Sequence, residues 1–425
     1  MTDVTATPGM NWSENLTYTA AELRQPSTVA ELQEMVAGAS KVKALGTRHS
    51  FTDVADSPGG VLVSTAALDV GGVEVDHAAG TASVPGAWSY AEVAEALEAE
   101  GVALHNMGSL PHISVAGGTA TGTHGSGDGN RVLSAAIRGL ELVTADGSLL
   151  HVDADDPRLP AMAVGLGAFG VITRVTLQVE PSYWVRQHLY KDALWADVLA
   201  NLDEVFASAY SVNLHADFSS SNTRTIWQKE RLATDEAGEL VLPDVADERW
   251  GATRLDVVDL DPGRVTQITE PGRWLHRLPH FVPGGTPSVG GDELQSEWFV
   301  DRADAVAAIE ALRRMGDRID PHLHGTEIRT VAADDLWLSP AYGRDCLSLG
   351  FTWKKHPAEV TALLAPIEEA LAPFAPTVHW GKLFAMGRGE LGERLPRMDD
   401  FLELAVSMDP TGTFRNPFID RLVVG

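Results

Sequence analysis

Apolar positions recur with two different periods before Pro181, and each period marks a different element. Thr28 followed three residues later by Glu31 has the form of a capping box. Leu32, Met35 and Val36 then recur at helical spacing, which predicts a helix. Residues 41–45 alternate like a short strand. Ser89 and Glu92 form a second box, and Tyr90, Val93, Ala94 and Leu97 make one apolar stripe that ends near Gly101. Residues 141–152 read as strand, Asp146-Gly147 turn, strand, and residues 171–179 as a further apolar strand.

The texture changes after Pro181. Tryptophans, scattered charges and irregular stretches replace the tight alternation, and residues 234–290 are rich in Pro, Asp and Gly. One amphipathic helix is predicted there, over residues 302–315, with Val306, Ile309 and Leu312 on one face. Near Pro376 the pattern tightens again, and residues 413–418 have the look of a terminal segment folding back. No internal repeat or low-complexity tract interrupts this organisation. At about 100–200 residues per domain it predicts two or three domains.

Composition narrows the function. With 59 acidic against 32 basic side chains, the 425-residue chain carries a formal net charge of -27, and it has no clustered basic face for a phosphate backbone. Nucleic acid is not an expected partner. A hydrophobic content of 44% suits ordinary packed cores and argues against disorder. The lone cysteine, Cys346, has no intramolecular disulfide partner and points to a reducing compartment. Met1-Thr2-Asp3-Val4 lacks the basic and apolar regions of a signal peptide, and no run approaches about 18 uninterrupted apolar residues. A cytoplasmic protein without membrane association is the expectation.

Four places concentrate chemistry. The loop Gly46-Thr47-Arg48-His49-Ser50-Phe51 follows a strand, where glycine permits close approach to a ligand and a histidine is accessible; a solvent or structural role suits that imidazole equally. Residues 106–127 are dominated by Gly, Ser and Thr and are almost uncharged, so backbone N–H groups and hydroxyls are free to wrap a pyrophosphate. The run is neither a P-loop nor a Rossmann turn, and the interleaved Leu110, Ile113 and Val115 argue against a flexible linker. Glu327 and Arg329 fall two apart on a strand-like stretch and share a face, either as a surface ion pair or in a site. Thr352 and Lys382 sit in apolar strand-like settings, where a polar group is costly unless paired or used; a β-forming threonine and a snorkelling lysine are the plainer readings. His322 and His324 share a strand face but lack a third ligand, so no metal is expected.

Taken in order, these segments resemble the flavoprotein oxidases of the vanillyl-alcohol oxidase superfamily, and within it the alditol (xylitol) oxidase branch, with aldonolactone oxidases next. The stretches that carry the likeness also include residues 141–147, 167–173, 327–331, 338–345 and 379–382, spanning almost the whole chain. The resemblance implies an α+β fold: a two-subdomain FAD-binding domain, residues 1–182, interrupted by an α+β cap or substrate domain, residues 183–374. Residues 375–425 return to the FAD-binding domain.

It implies FAD held covalently through His49. The cradle expected from it comprises Gly46, Thr47, Arg48, Ser50, Ser109, Ser114, Gly117, Gly118, Thr121, Gly122, His124, Gly125 and Ile172. It further implies that Arg329, Lys382 and Glu327 are catalytic, that Ser109, Gln295 and Thr352 bind substrate hydroxyls, and that the substrate is an uncharged polyol or sugar, with oxygen as acceptor. Gly108, lacking a side chain beside the flavin, implies an oxidase rather than a dehydrogenase. Two departures stand out. Gly350 replaces a histidine of the branch, which implies a larger pocket and a shifted substrate preference, and Arg48 replaces a frequent glycine, at the surface or against cofactor or substrate. The sequence leaves the oligomeric state open.

Overall fold

The computed structural model describes residues 8–255, 261, 263–266 and 268–423; the opening residues, Met1 to Val4, lie outside it. The architecture is α+β. Three short strands form a parallel sheet in the order Glu22–Arg24, Val61–Val63, Val42–Ala44. Parallel neighbours need crossovers, and the helix Val29–Gly38 supplies one, burying Leu32 and Val36. Thr28 caps this helix by accepting from the Glu31 amide, as the spacing predicts. The reciprocal half differs: the Glu31 carboxylate takes both the amide and the hydroxyl of Ser27, two donors instead of one. At Ser89 and Glu92 the box closes in both directions.

A five-stranded antiparallel sheet follows in the order Glu74–Asp76, Thr81–Pro85, Val171–Gln178, Ile137–Val143, Leu149–Val152. Val171–Gln178 alternates buried and half-buried residues along its length, the signature of a strand with one face on a core. Between these elements residues 106–127 run mostly as loop, with one short helix at Val115–Ala120.

Val102–Ala103 and Glu180–Pro181 pair as a separate two-stranded sheet, and the remaining strands build a ten-stranded one. Its middle runs Thr223–Leu232, Ser211–Ala216, Leu323–Val331, Cys346–Lys354, Glu293–Asp301, antiparallel throughout. The helices Ala305–Arg313 and Pro357–Leu371 pack against each other beside it. The first begins later than expected, because Asp301 caps a 3-10 turn over Arg302–Asp304. Ala305, Ala308, Ile309, Ala311 and Leu312 are buried, so Ile309 and Leu312 face inward as expected, and Val306 is exposed.

The chain's end docks on its beginning: the Val42 amide donates to Thr413 O, and the Asn416 side-chain amide donates to the carbonyls of Asp53, Val54 and Asp56. Thr377–Val378 still pairs with Glu293–Asp301, so the large sheet extends just past residue 375. Among the described residues no helix is long and apolar enough to cross a membrane.

Candidate active site

A cavity of about 660 Å3 separates two unlike walls, within the range of sites that enclose a small molecule. The first wall comes from the N-terminal half. The loop after Val42–Ala44 contributes residues 46–50, and Gly108, Ser109, Ser114, Gly117, Gly118, Thr121, His124 and Ile172 complete it. Gly46 is there for close approach, since a Cβ on it would lie 2.6 Å from Ser114 Oγ. The Ser114 amide in turn donates to Thr47 Oγ1 at 3.2 Å.

His49 faces the cavity half-buried, its ring 5.0 Å from that of Trp12. Burial, assisted by His112, pushes its pKa down to about 4, so the imidazole is neutral near pH 7. It is less accessible than its loop position suggests.

Three members of the expected cradle do other work. Gly122 and Gly125 are not among the residues lining the cavity. Gly122 turns the chain at φ +72°, and Gly125 lies so close to Asn106 and Met107 that a Cβ would sit 2.5 Å from Met107 O. Arg48 contributes to the lining, but its guanidinium reaches away, donating to Pro8 O and Met10 O and lying over the Tyr18 ring. Its φ of +65° explains why glycine suits that position; here arginine accepts the strained backbone and ties down the N-terminal segment.

The second wall is the large sheet. Strand alternation puts Gln295 and Glu297, Glu327 and Arg329, Asn213 and His215, and Thr352 in pairs or singly on neighbouring strands, and Lys382 arrives from the loop after Thr377–Val378. Gln295, Glu297, Glu327, Arg329, Thr352, Lys382 and His215 all line the cavity. Arg329 lies 2.8 Å from Glu297 Oε1 and 3.6 Å from Glu327 Oε2, while Lys382 Nζ lies 2.7 Å from Glu297 Oε2. Neither the surface pair nor the snorkelling lysine describes this arrangement. Ser109 and Asn213 both donate to Glu327 Oε1, at 3.0 and 3.1 Å. The Gln295 amide donates to Glu293.

Burial would raise both carboxyls, but the surrounding cations outweigh it. Lys382 and Arg329 hold Glu297 well below the usual range, and Arg329 chiefly does so for Glu327. Burial opposes the charge of Arg329 as well, yet its two glutamates raise its pKa overall. The charged groups lining this part of the cavity are therefore two carboxylates and two cations, and behind them the buried Lys229, its pKa pushed down to about 8, acts on both Glu327 and Arg329. Burial leaves His215 and His280 neutral, with pKa values of about 4 and about 3. Arg329 Nε, Asn213 Oδ1 and His215 Nε2 are buried and find no partner among the described residues, the condition of groups that await a polar ligand.

Gly350 is one position at which the chain departs from the branch. It is absent from the lining, and a Cβ there would meet Glu297 Oε1 at 3.2 Å. The side chain it lacks leaves room that the Glu297 carboxylate occupies. Sequence reasoning missed Glu297, Asn213, His215 and Ser348. Period-two alternation from Gln295 would have placed Glu297 on the same face, and nothing local marked the others. Among the described residues no group of three or more metal-ligating side chains converges.

The solved cholesterol oxidase from B. sterolicum shares the fold, with a TM-score of 0.77 at 14% identity over 99% of this chain and 97% of its own. Residues 20–153 match the family described as FAD binding domain, and residues 292–422 the family described as D-arabinono-1,4-lactone oxidase. The class is thereby defined as an FAD-dependent oxidoreductase with the vanillyl-alcohol oxidase type of fold.

The chain is also 42% identical to the alditol oxidase of a Streptomyces species, over 98% of this chain and 99% of that one. It is 29% identical to the L-gulono-1,4-lactone dehydrogenase of Mycobacterium tuberculosis, over 97% and 98%. The chain belongs to the alditol oxidase family. The first wall fits FAD: Gly46 and Gly117 each approach Ser114 Oγ so closely that a Cβ would fill the cradle, leaving backbone and hydroxyl donors at its surface.

Proposed function

We propose that this protein is an FAD-dependent alditol oxidase that oxidises the terminal carbinol of a sugar alcohol such as xylitol or sorbitol to an aldose. The observation that carries the reading is the charge-balanced cluster of Glu327, Arg329, Lys382 and Glu297 facing the glycine-lined cradle across one cavity. FAD, held by the glycine-lined wall, would supply the two-electron acceptor for the hydride of the carbinol carbon, with oxygen as the final oxidant and hydrogen peroxide as its product.

The chain's residues do the rest. A polyol is uncharged and offers donors and acceptors at every carbon, which suits a wall whose own charges cancel. Ser109, Gln295 and Thr352 bind its hydroxyls, and the free Nε of Arg329 adds a donor beside them. Arg329 and Lys382 stabilise the negative charge that develops as the hydroxyl proton departs. Glu327 is ionised and held well below the usual carboxylate range, which makes it a poor base, so it orients the hydroxyl by accepting its hydrogen bond while the proton passes to water. Gly108, whose Cβ position has only ordinary contacts with Thr123 and His124, leaves the cavity open to oxygen. The neutral His49 imidazole is in the protonation state needed to form a covalent bond to the flavin. In this reading residues 1–182 and 375–425 make the FAD-binding domain and residues 183–374 the cap.

An aldonolactone or aldose oxidase is the second reading, favoured by the match of residues 292–422 to a lactone oxidase family. Peroxide release over xylitol, sorbitol, glycerol, aldonolactones and aldoses separates the two. Sugar alcohols are expected to lead, and a panel in which no member bleaches the flavin anaerobically rejects both. Colour that survives denaturation tests the covalent bond. His49→Ala is expected to release the flavin on acid precipitation, and colour retained on that protein would assign the bond elsewhere.

A further inference from the structure

Glu297 touches more of the site's machinery than any residue the function above assigns to it. Its carboxylate is fully buried, with Oε1 receiving Arg329 at 2.8 Å, the Ser348 hydroxyl, and His124 Nε2 at 3.1 Å, while Oε2 receives Lys382 at 2.7 Å. Register explains how one side chain reaches so many partners. Glu297 and Glu327 both stand opposite Gly350, from the strands on either side of it, and Arg329 stands opposite Ser348 on the same face. Gly350 thus leaves a gap in the middle strand of the three. The Glu297 carboxylate lies over that gap and meets Arg329 from the far strand, at a point where a Cβ on residue 350 would be 3.2 Å from Oε1.

We infer that Glu297 is the positioning residue of this site. By lying across Gly350 it holds Arg329 and Lys382 in their working places and cancels one of their two charges. Without it the two cations would face each other with only Glu327 between them, since the other titratable groups packed around it, His124 and His379, are disfavoured as cations by burial. The balance matters for an uncharged substrate, because a surplus cation in a dry cavity recruits anions instead. This inference deepens the proposed function and rests on its placement of Arg329 and Lys382.

The test reads site charge and turnover separately. Sulfite, a small anion, bleaches the visible band of oxidised flavins, and it needs no polyol. Titrating the FAD-loaded Glu297→Gln variant with sulfite is expected to show about tenfold tighter binding than the unsubstituted protein, because one negative charge has left the cavity. Its kcat on the best polyol is expected to fall about 10- to 100-fold with KM changed much less, since the cations have lost their anchor. A side chain that merely packs would lower Tm and leave sulfite binding alone, and that outcome overturns the inference.

Gly350→Ala supplies a second arm should the glutamine variant not fold. It changes no charge but crowds Glu297 Oε1 and, at 3.0 Å, the backbone oxygen of Glu327, so sulfite affinity is expected within about twofold and kcat down about fivefold or more. Full kcat in that variant also overturns the inference. Failure of the unsubstituted protein to oxidise any polyol would instead reject the proposed function, and the sulfite comparison would still stand.

Discussion

The two walls of the cavity keep their shape by opposite means. The N-terminal wall is made by subtraction: Gly46 and Gly117 bring backbone against the Ser114 hydroxyl, Gly118 brings it against Ile113 and Tyr90, and added atoms have little room. The sheet wall is made by addition, with charged side chains interlocked at 2.7–2.8 Å around Glu297 in a region almost without solvent. A backbone cradle is insensitive to pH and intolerant of bulk. A buried ion cluster tolerates little change in charge, because removing one partner strands another in a poorly solvating interior. The difference teaches where each kind of substitution does damage.

The largest expected effect breaks the charged wall. Arg329→Met leaves Glu297 and Glu327 short of a cation, and loss of one partner from a buried pair costs about 3–5 kcal/mol of stability. Loss of an electrostatic stabiliser is expected to lower kcat on the order of 100- to 1,000-fold. Denaturant unfolding and steady-state turnover check the two parts, and a variant with full turnover would show that the cluster is structural only.

A smaller effect is expected where the N-terminal half loses space without losing charge. Gly125→Ala would put a Cβ 2.5 Å from Met107 O behind the wall, and such overpacking costs about 1–3 kcal/mol. The measurement is Tm beside flavin content, with Tm falling while the kcat of the flavin-loaded fraction is largely kept.

The last is read as a pH slope and concerns Lys43, which lines the N-terminal wall. Lys43 is buried, donates to the carbonyls of Leu166 and Gly167, and has its pKa pushed down to about 7 by burial, with Asp409 opposing. The folded protein therefore binds fewer protons here than the unfolded chain between pH about 7 and the ordinary lysine value of about 10.4, and stability rises with pH across that window. Lys43→Met is expected to remove that rise. Melting curves from pH 6.5 to 9.5, conditions chosen to span its start, compare the slopes; equal slopes would place the lysine's titration elsewhere.

Much of the scaffold was legible because it rests on short-range regularities. The Thr28 cap, the box at Ser89, the Asp146-Gly147 hairpin and the alternating residues 171–178 are set by contacts within a few residues, and each formed where the spacing predicts. Glu327 and Arg329 share a face for the same reason. Errors arose where a neighbour from elsewhere intervened. Arg48 turned its guanidinium away from the cavity, toward Pro8 and Met10.

The site divides along the same line. Chain order alone was enough to predict a glycine-rich cradle and strand faces bearing charge, because backbone conformation and strand alternation are properties of consecutive residues. It did not contain the meeting of Ser109 with Glu327 across 218 positions, or of Lys382 with Glu297 across 85. Nor did it reveal that Gly350 makes room for the Glu297 carboxylate. Those depend on which strands become neighbours and in what register, and register is settled by the packing of whole sheet faces.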